Sequence, residues 1–478
     1  MLNDRVGILP AVDRAFAALS VLLAPGRLGR NALFALSQSL VVVFCIFFVY
    51  RLLVAHVGIE RLGVWSLLIA GSSLVRIGDI SGAGALARFV AMGSRIGEAV
   101  PACDYVHTVM LTSIGFNIAL GLVIYLVGPM ALPHFIAAQY LAEAETLLPF
   151  VVATMVLGGL AVAVTSGIDG TQRADQRAIV VIVAALAFLT ASWLLVPSYG
   201  VIGYGVALLL QQIIMLGLGW LVLRLHVAGI GWLPYRWRCG VFAETTGYAL
   251  KLNAIGVMGL LFEPLSKFAF NHAGGPGLVA YYELSSRLVV QVRGLVIAAA
   301  TPLIPAFAAL QSSDHSSVRR MLEKSTRVAM LAAIGVALLA LAGAPLMSLM
   351  VFGRLEPEVL SMNAELTVGW AINILGVPLY FAAQGQGVLR WNFVSHALIA
   401  LSVLVGVFFL VPTFGSTGLI AAIVTGLVLS TFTVVIGNAH VLGMMDVVRR
   451  LRWELLAASF AIAAISAAAM GVYVVALR

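Results

Sequence analysis

The chain has 478 residues, 62% hydrophobic and only 10% charged, with a mean hydropathy of +1.06. Soluble domains carry about 25% charged residues, so a water-soluble globular core is excluded. The net charge of +8 has no basic soluble domain to sit on, which excludes nucleic-acid binding as well.

The first segment, 1–30, contains AVDRAFAALSVLLA. Val12, Phe16, Leu19 and Leu23 fall on one helical face, the pattern of a helix lying in the membrane interface. Apolar runs then follow at about 32–55, 62–87, 106–130, 146–168, 178–196 and 200–223. A polar stretch, 227–245, separates these six from a second set at 246–271, 277–305, 328–351, 367–387, 392–412 and 416–440. A basic loop and a thirteenth run at 455–477 complete the chain. Each run approaches or exceeds the roughly 20 residues that cross a bilayer. A backbone in lipid must satisfy its own hydrogen bonds, so each is expected to be helical. Threaded with the N-terminus in the cytoplasm, the chain places 19 of its 28 Lys and Arg in cytoplasmic segments and three outside, with six left inside spans. This is the positive-inside asymmetry. The cysteines, Cys45, Cys103 and Cys239, have no metal spacing. No cofactor is expected.

The chain repeats itself. LVPSYGVIG (195–203) is answered by LVPTFGSTG (410–418), with Pro197, Gly200 and Gly203 matching Pro412, Gly415 and Gly418 at an offset of 215; Gly170 matches Gly385 at the same offset. At an offset of 216, Lys267, His272 and Tyr281 land on Arg51, His56 and Trp65. Six spans per half is an even number, so the two halves run the same way through the bilayer. The expected fold is an all-α polytopic membrane protein. Two six-helix repeats, an N-lobe (31–226) and a C-lobe (246–441), surround a central cavity, and about one extra C-terminal helix lies within 442–478.

Charge inside a membrane is costly and marks function. Span seven carries Gly256, Gly259, Glu263, Lys267 and Asn271 on one stripe, and span eight carries Glu283, Arg287, Gln291 and Gly294. Span two carries Trp65, Ser72, Arg76, Asp79 and Ala83. Pro264 removes a backbone donor beside Glu263, which predicts a bend there. Neutralisation within a helix competes with function, since Glu263–Lys267 and Glu283–Arg287 are four apart and Arg76–Asp79 three. Arg51 and Lys251 lie near span ends, where they can snorkel. In-span cations are Arg51, Arg76, Lys251, Lys267, Arg287 and Arg293; the acids are Asp79, Glu263 and Glu283. Three cations are left over. An unbalanced cationic cavity suits an anionic cargo, and arginine suits phosphate. His396 reads as a hydrogen-bonded packing residue. No HExxH, GxSxG or P-loop is present, and the loops are too short for a catalytic domain. An enzymatic function is therefore not expected.

ERLGVWSLLIAGSSLVRIGDISGAGALARFVA (60–91) resembles the span-two signature of polysaccharide transporters, at Gly63, Trp65, Asp79, Leu86, Arg88, Val90 and Ala91. The signature's turn glycine is displaced, with Ser81 in its place and Gly82 next. IDGTQRADQRAIV (168–180) and LVPSYGVIGYGVA (195–207), echoed by QGQGVLRWN (384–392) and LVPTFGSTGLIAA (410–422), resemble the same family's loops. The likeness is to the multidrug/oligosaccharidyl-lipid/polysaccharide (MOP) flippase superfamily, on its Wzx-like O-antigen branch, over residues 30–441. It implies a bacterial inner-membrane flippase for undecaprenyl-pyrophosphate-linked oligosaccharide, working by alternating access. On that reading Arg51, Arg76, Lys251, Lys267, Arg287 and Arg293 form the substrate-binding cationic cavity. Asp79, Glu263, Pro264 and Glu283 serve ion coupling or gating. The implied partners are the lipid-linked anionic oligosaccharide, a coupling ion (H+ or Na+), the bilayer and polysaccharide assembly proteins. Members commonly have twelve or fourteen spans, against thirteen here. The alternatives are a cation-coupled multidrug exporter, which typically has an acid in span one where 32–55 has none, and a lipid II flippase. A membrane polymerase or ligase would need a large outer loop, and a scaffold would not need in-span cations.

Overall fold

A computed structural model describes residues 27–75, 81–93, 100–301, 303–304, 307 and 315–476. The N-terminal amphipathic stretch, Arg76 and Asp79 lie outside the described residues, as does the side chain of Lys251.

Among the described residues there are helices and no strands. In chain order they are α1 (Arg27–His56), α2 (Ile59–Val75), α3 (Leu86–Gly93, after a 3-10 turn at Ala83–Ala85), α4 (Ala102–Phe135), α5 (Ala138–Gly170), α6 (Ala174–His226) and α7 (Cys239–Ala300). Then come α8 (His315–Phe352), α9 (Pro357–Ile374), α10 (Val377–Gly385), α11 (Arg390–Val405), α12 (Val411–Val441) and α13 (Met445–Ala476). A π-helical turn, Gly406–Leu410, joins α11 to α12.

Several helices hold more than one crossing. α6 has 53 residues, roughly 80 Å at 1.5 Å per residue, too long for one passage through a core about 30 Å thick. It breaks at Gly200 (φ 56°, ψ −132°), just after Pro197. α12 breaks in the same way at Gly415 (φ 58°, ψ −140°), 215 residues on. The third member of each motif is a close-approach glycine. A Cβ on Gly203 would sit 2.4 Å from the Leu195 carbonyl oxygen, and one on Gly418 2.7 Å from that of Leu410. Proline, a left-handed glycine and a close-packed glycine thus build the same reversal twice. Gln172 and Gly387, also 215 apart, share a positive φ of 59° and 75°. The repeat in the sequence is a repeat in the backbone.

α7 breaks at Gly274 and Gly275, in the connection expected between spans seven and eight, and Pro264 lies within its helical run. The positive-φ glycines Gly58 and Gly275 end the first span of each half and set the local offset at 217, one more than the 216 read from the sequence. The tenth span also differs from expectation. It starts at Pro357, not 367, and bends by 41° between α9 and α10, where Gly376 and Pro378 interrupt it. Counted through these breaks, the described residues form helical segments along all thirteen apolar runs.

Within the first half, α1 packs on α6, and α5 on both α4 and α6. In the second half, α9 packs on α7, α8 and α12, and α11 on α12 and α7. α13 lies against α8 and α9. The halves meet where α2 lies along α7 and α1 lies on α8. The reversals at Gly58, Gly200, Gly274–Gly275 and Gly415 share one face, opposite the arginine-rich connections. On this far side an apolar cluster runs unbroken across both halves, joining Leu53, Leu62 and Trp65 to Leu284, Met347 and Leu360.

Candidate functional site

Two cavities hold four of the sequence-predicted residues that the structure describes, Lys267, Glu283 and Arg287 in one and Arg293 in the other. The first lies between the halves, toward the far face. Glu283 is at its centre, with its side chain 5% exposed. Lys267 Nζ lies 2.8 Å from Glu283 Oε2. Arg287 Nε donates to Oε1 at 3.0 Å. The first half adds two donors, Tyr50 Oη to Oε1 at 3.0 Å and Ser66 Oγ to Oε2 at 3.1 Å. Lys267 also donates to Glu263 Oε1 at 2.7 Å, one helical turn back. Trp65, Tyr204 and Gln211 help enclose the adjoining space of about 200 Å³.

The arrangement pairs the charges within the cluster. Lys267 and Arg287 carry two positive charges, and Glu263 and Glu283 two negative ones. A buried ion pair is tolerable only when its hydrogen bonds are satisfied, and here the carboxylate has donors on both oxygens. These four residues therefore neutralise one another. Among the described residues, another in-span cation, Arg293, faces a cavity with no carboxylate partner.

It lies in the second half. Arg293 enters a cavity of about 330 Å³ lined by Trp370, Asn373, Tyr380, Ser395, His396 and Thr431, among others. Its guanidinium lies 4.8 Å from the centre of the Trp370 ring and donates to Asn373 Oδ1 at 2.7 Å. No carboxylate lines the cavity, and among the described residues none pairs with Arg293. Arg293 Nε and Trp370 Nε1 are buried without a hydrogen-bond partner. Such donors carry a desolvation cost that an acceptor would relieve. His396 bonds Tyr380 Oη at 3.2 Å, the packing role expected of it. Arg51 belongs to neither cavity. It is exposed and donates to the Met350 carbonyl at 3.0 Å, bridging the halves.

Sequence reasoning missed Tyr50 and Ser66, although an available signal pointed to them. At an offset of 217, Tyr50 is the repeat counterpart of Lys267 and Ser66 that of Glu283. It also missed Glu365, which lies inside α9, because the span was begun at 367, ten residues after the helix starts. Trp370 and Asn373 were treated as ordinary span residues.

No family model matches the chain, and no curated protein matches it. Solved structures do. An inward-facing multidrug resistance MATE family transporter of the MOP superfamily matches with a TM-score of 0.68 at 14% identity, over 87% of this chain and 99% of that one. The lipid II flippase MurJ, in an inward closed conformation, matches at 0.64 and 12% identity, over 92% and 98%. The chain has the MOP transporter fold. A MOP superfamily transporter from Pyrococcus furiosus, described as having a binding pocket of reverse polarity, matches at 0.64 and 14% identity, over 88% and 96%. At these identities the likeness is one of fold. The MOP architecture accounts for the six-plus-six repeat and for a multi-pass membrane protein.

Proposed function

We propose that this protein is an alternating-access flippase for a lipid-linked, negatively charged oligosaccharide. Its N-lobe spans residues 31–226, its C-lobe 246–441 and the joining loop 227–245, with 442–478 packed outside the repeat. The arginine-rich connections face the cytoplasm of a bacterial cell, following the positive-inside rule. The observation that carries the reading is Arg293. An arginine inside a membrane span, with no carboxylate to balance it, lies in a cavity ringed by an indole, hydroxyls, an amide and an imidazole. Arginine matches the planar geometry of phosphate and carboxylate. Aromatic faces and hydroxyl groups suit the sugars that follow. The cavity holds one anionic group or one sugar, while the lipid tail stays in the bilayer. Arg76 and Lys251, in the same spans as the first cavity, are assigned to cargo entry, with Asp79 and Glu263 assigned to ion coupling.

A second reading is a cation-coupled exporter. Glu365, a carboxylate inside α9 with no ion-pair partner among the described residues, favours it. Mass spectrometry of lipid-linked oligosaccharide in cells lacking the protein separates the two. Accumulation of one lipid-pyrophosphate glycan, cleared by the wild-type chain and not by Arg293→Ala, is the expected result. An unchanged lipid pool together with sensitivity to cationic drugs would overturn the flippase reading.

A further inference from the structure

Glu283 has four side-chain donors, and they come from both halves of the molecule. Tyr50 is on α1 and Ser66 on α2; Lys267 and Arg287 are on α7, on either side of its break. Their meeting follows from their distance from the turns. Tyr50 precedes Gly58 by eight residues, and Lys267 precedes Gly275 by the same number. Ser66 and Glu283 each follow their glycine by eight. At 1.5 Å per residue all four sit about 12 Å below the far-face reversals. Pseudo-equivalent positions of the two repeats therefore meet at one level, on the seam between the halves.

We infer that Tyr50, Ser66 and Glu283 form a clasp that holds the two halves together on the far face, with Lys267 and Arg287 holding the Glu283 carboxylate in place. The rest of the seam closes above it. Asn271 Nδ2 donates to the Phe135 carbonyl at 2.6 Å, Phe135 and Phe268 pack at 4.8 Å between ring centroids, and Gly63 lies against Pro276. These contacts are apolar or accepted by backbone carbonyls. The bonds from Tyr50 and Ser66 to Glu283 join side chains to a charge. For the far face to open, α1 and α2 must both leave the Glu283 segment of α7, and both bonds must break. The ion pairs of Glu283 with Lys267 and Arg287 stay within α7 and travel with the second half. The clasp is thus separable from the pairing that keeps α7 stable in lipid. It does not depend on the identity of the cargo.

The test removes only the bonds that cross the seam. Spin labels at Ala142 and Glu358, both exposed at the far-face ends of α5 and α9, report the separation of the halves. The background is Cys239→Ser, because Cys45 and Cys103 are buried. The purified full-length chain in lipid nanodiscs is expected to show mainly the short distance. In Tyr50→Phe/Ser66→Ala the ratio of long- to short-distance populations is expected to rise on the order of a hundredfold or more, as for two lost bonds to a charged acceptor. Tyr50→Phe alone, the gentler variant, should produce a smaller rise. Tyr204→Phe alters the same cavity without touching Glu283 and should leave the ratio at the wild-type value. Distance distributions identical to wild type in both the double and the single variant would overturn the clasp. So would an equal rise in Tyr204→Phe, which would show only a loosened cavity. A failure of the lipid-linked oligosaccharide experiment leaves these distances unaffected, so the two readings fail independently.

Discussion

Arg293 and Lys267 are both cations within membrane-spanning helices, yet their neighbours make opposite demands on them. Lys267 stands between two carboxylates at 2.7 and 2.8 Å. Its removal leaves Glu283 short of a buried partner, and breaking such a pair costs about 3–5 kcal/mol. Lys267→Ala is therefore expected to lower the melting temperature sharply in detergent or nanodiscs. Arg293 balances no carboxylate, so Arg293→Ala should leave the melting temperature unchanged or raise it while transport falls. A loss of stability equal to that of Lys267→Ala would remove Arg293 from the cargo site. Gln172 is the only non-glycine with positive φ among the described residues, at 59°. A left-handed residue with a Cβ costs roughly 1–2 kcal/mol, and its repeat counterpart is Gly387 (φ 75°). Gln172→Gly should stabilise the chain by about 0.5–1 kcal/mol, less than the full strain because glycine loses more entropy on folding. A thermal melt reads this directly, and a lower midpoint would refute it.

At the scale of helices, glycine and proline fix where each crossing ends. Gly63 lets α2 press against α7: a Cβ there would come within 1.8 Å of the Pro276 carbonyl oxygen, which is backbone and cannot step aside. Gly63→Ala should separate α2 from α7 and destabilise the fold by several times the ~0.5 kcal/mol of an ordinary surface change; a melting temperature like wild type would show that the two helices slide apart freely. Much of this level was legible in the sequence. The LVPSYGVIG and LVPTFGSTG reversals could be read because their chemistry is local: a proline, a left-handed glycine and a close-packed glycine need no distant partner. Pro264 sits inside the helical run of α7, as a proline within a span can when neighbouring groups satisfy the backbone, and the reversal falls at Gly274–Gly275, in the connection read between spans seven and eight. The tenth span was begun at 367, so Glu365 fell in the connection before it.

At the scale of the whole molecule, two copies of one six-helix plan face each other, and this determines what composition alone cannot reveal. Composition counted three surplus cations in the spans. The fold shows which charges meet: Lys267 and Arg287 are cancelled by Glu263 and Glu283, while Arg293 is left facing hydroxyls and an indole. The pairs Glu263–Lys267 and Glu283–Arg287, four apart, were legible from helical spacing, whereas the link from Lys267 to Glu283, 16 positions on, and that from Tyr50 to Glu283, 233 apart, were not. The repeat register did contain the information, once the glycines at 58 and 275 set it at 217. The apolar seal on the far face and the clasp beneath it describe a molecule closed on one side, the state from which a cargo on the basic side would be taken up.

The most direct test of the central claim is reconstitution of the purified chain into liposomes containing a pyrophosphate-linked lipid oligosaccharide. The measured quantity is the fraction of glycan that becomes accessible to an added glycosidase on the opposite leaflet. Transfer well above protein-free vesicles with the wild-type chain, and its loss in Arg293→Ala at undiminished thermal stability, is the expected result. Transfer no faster than in protein-free vesicles, or equally fast with Arg293→Ala, would contradict it.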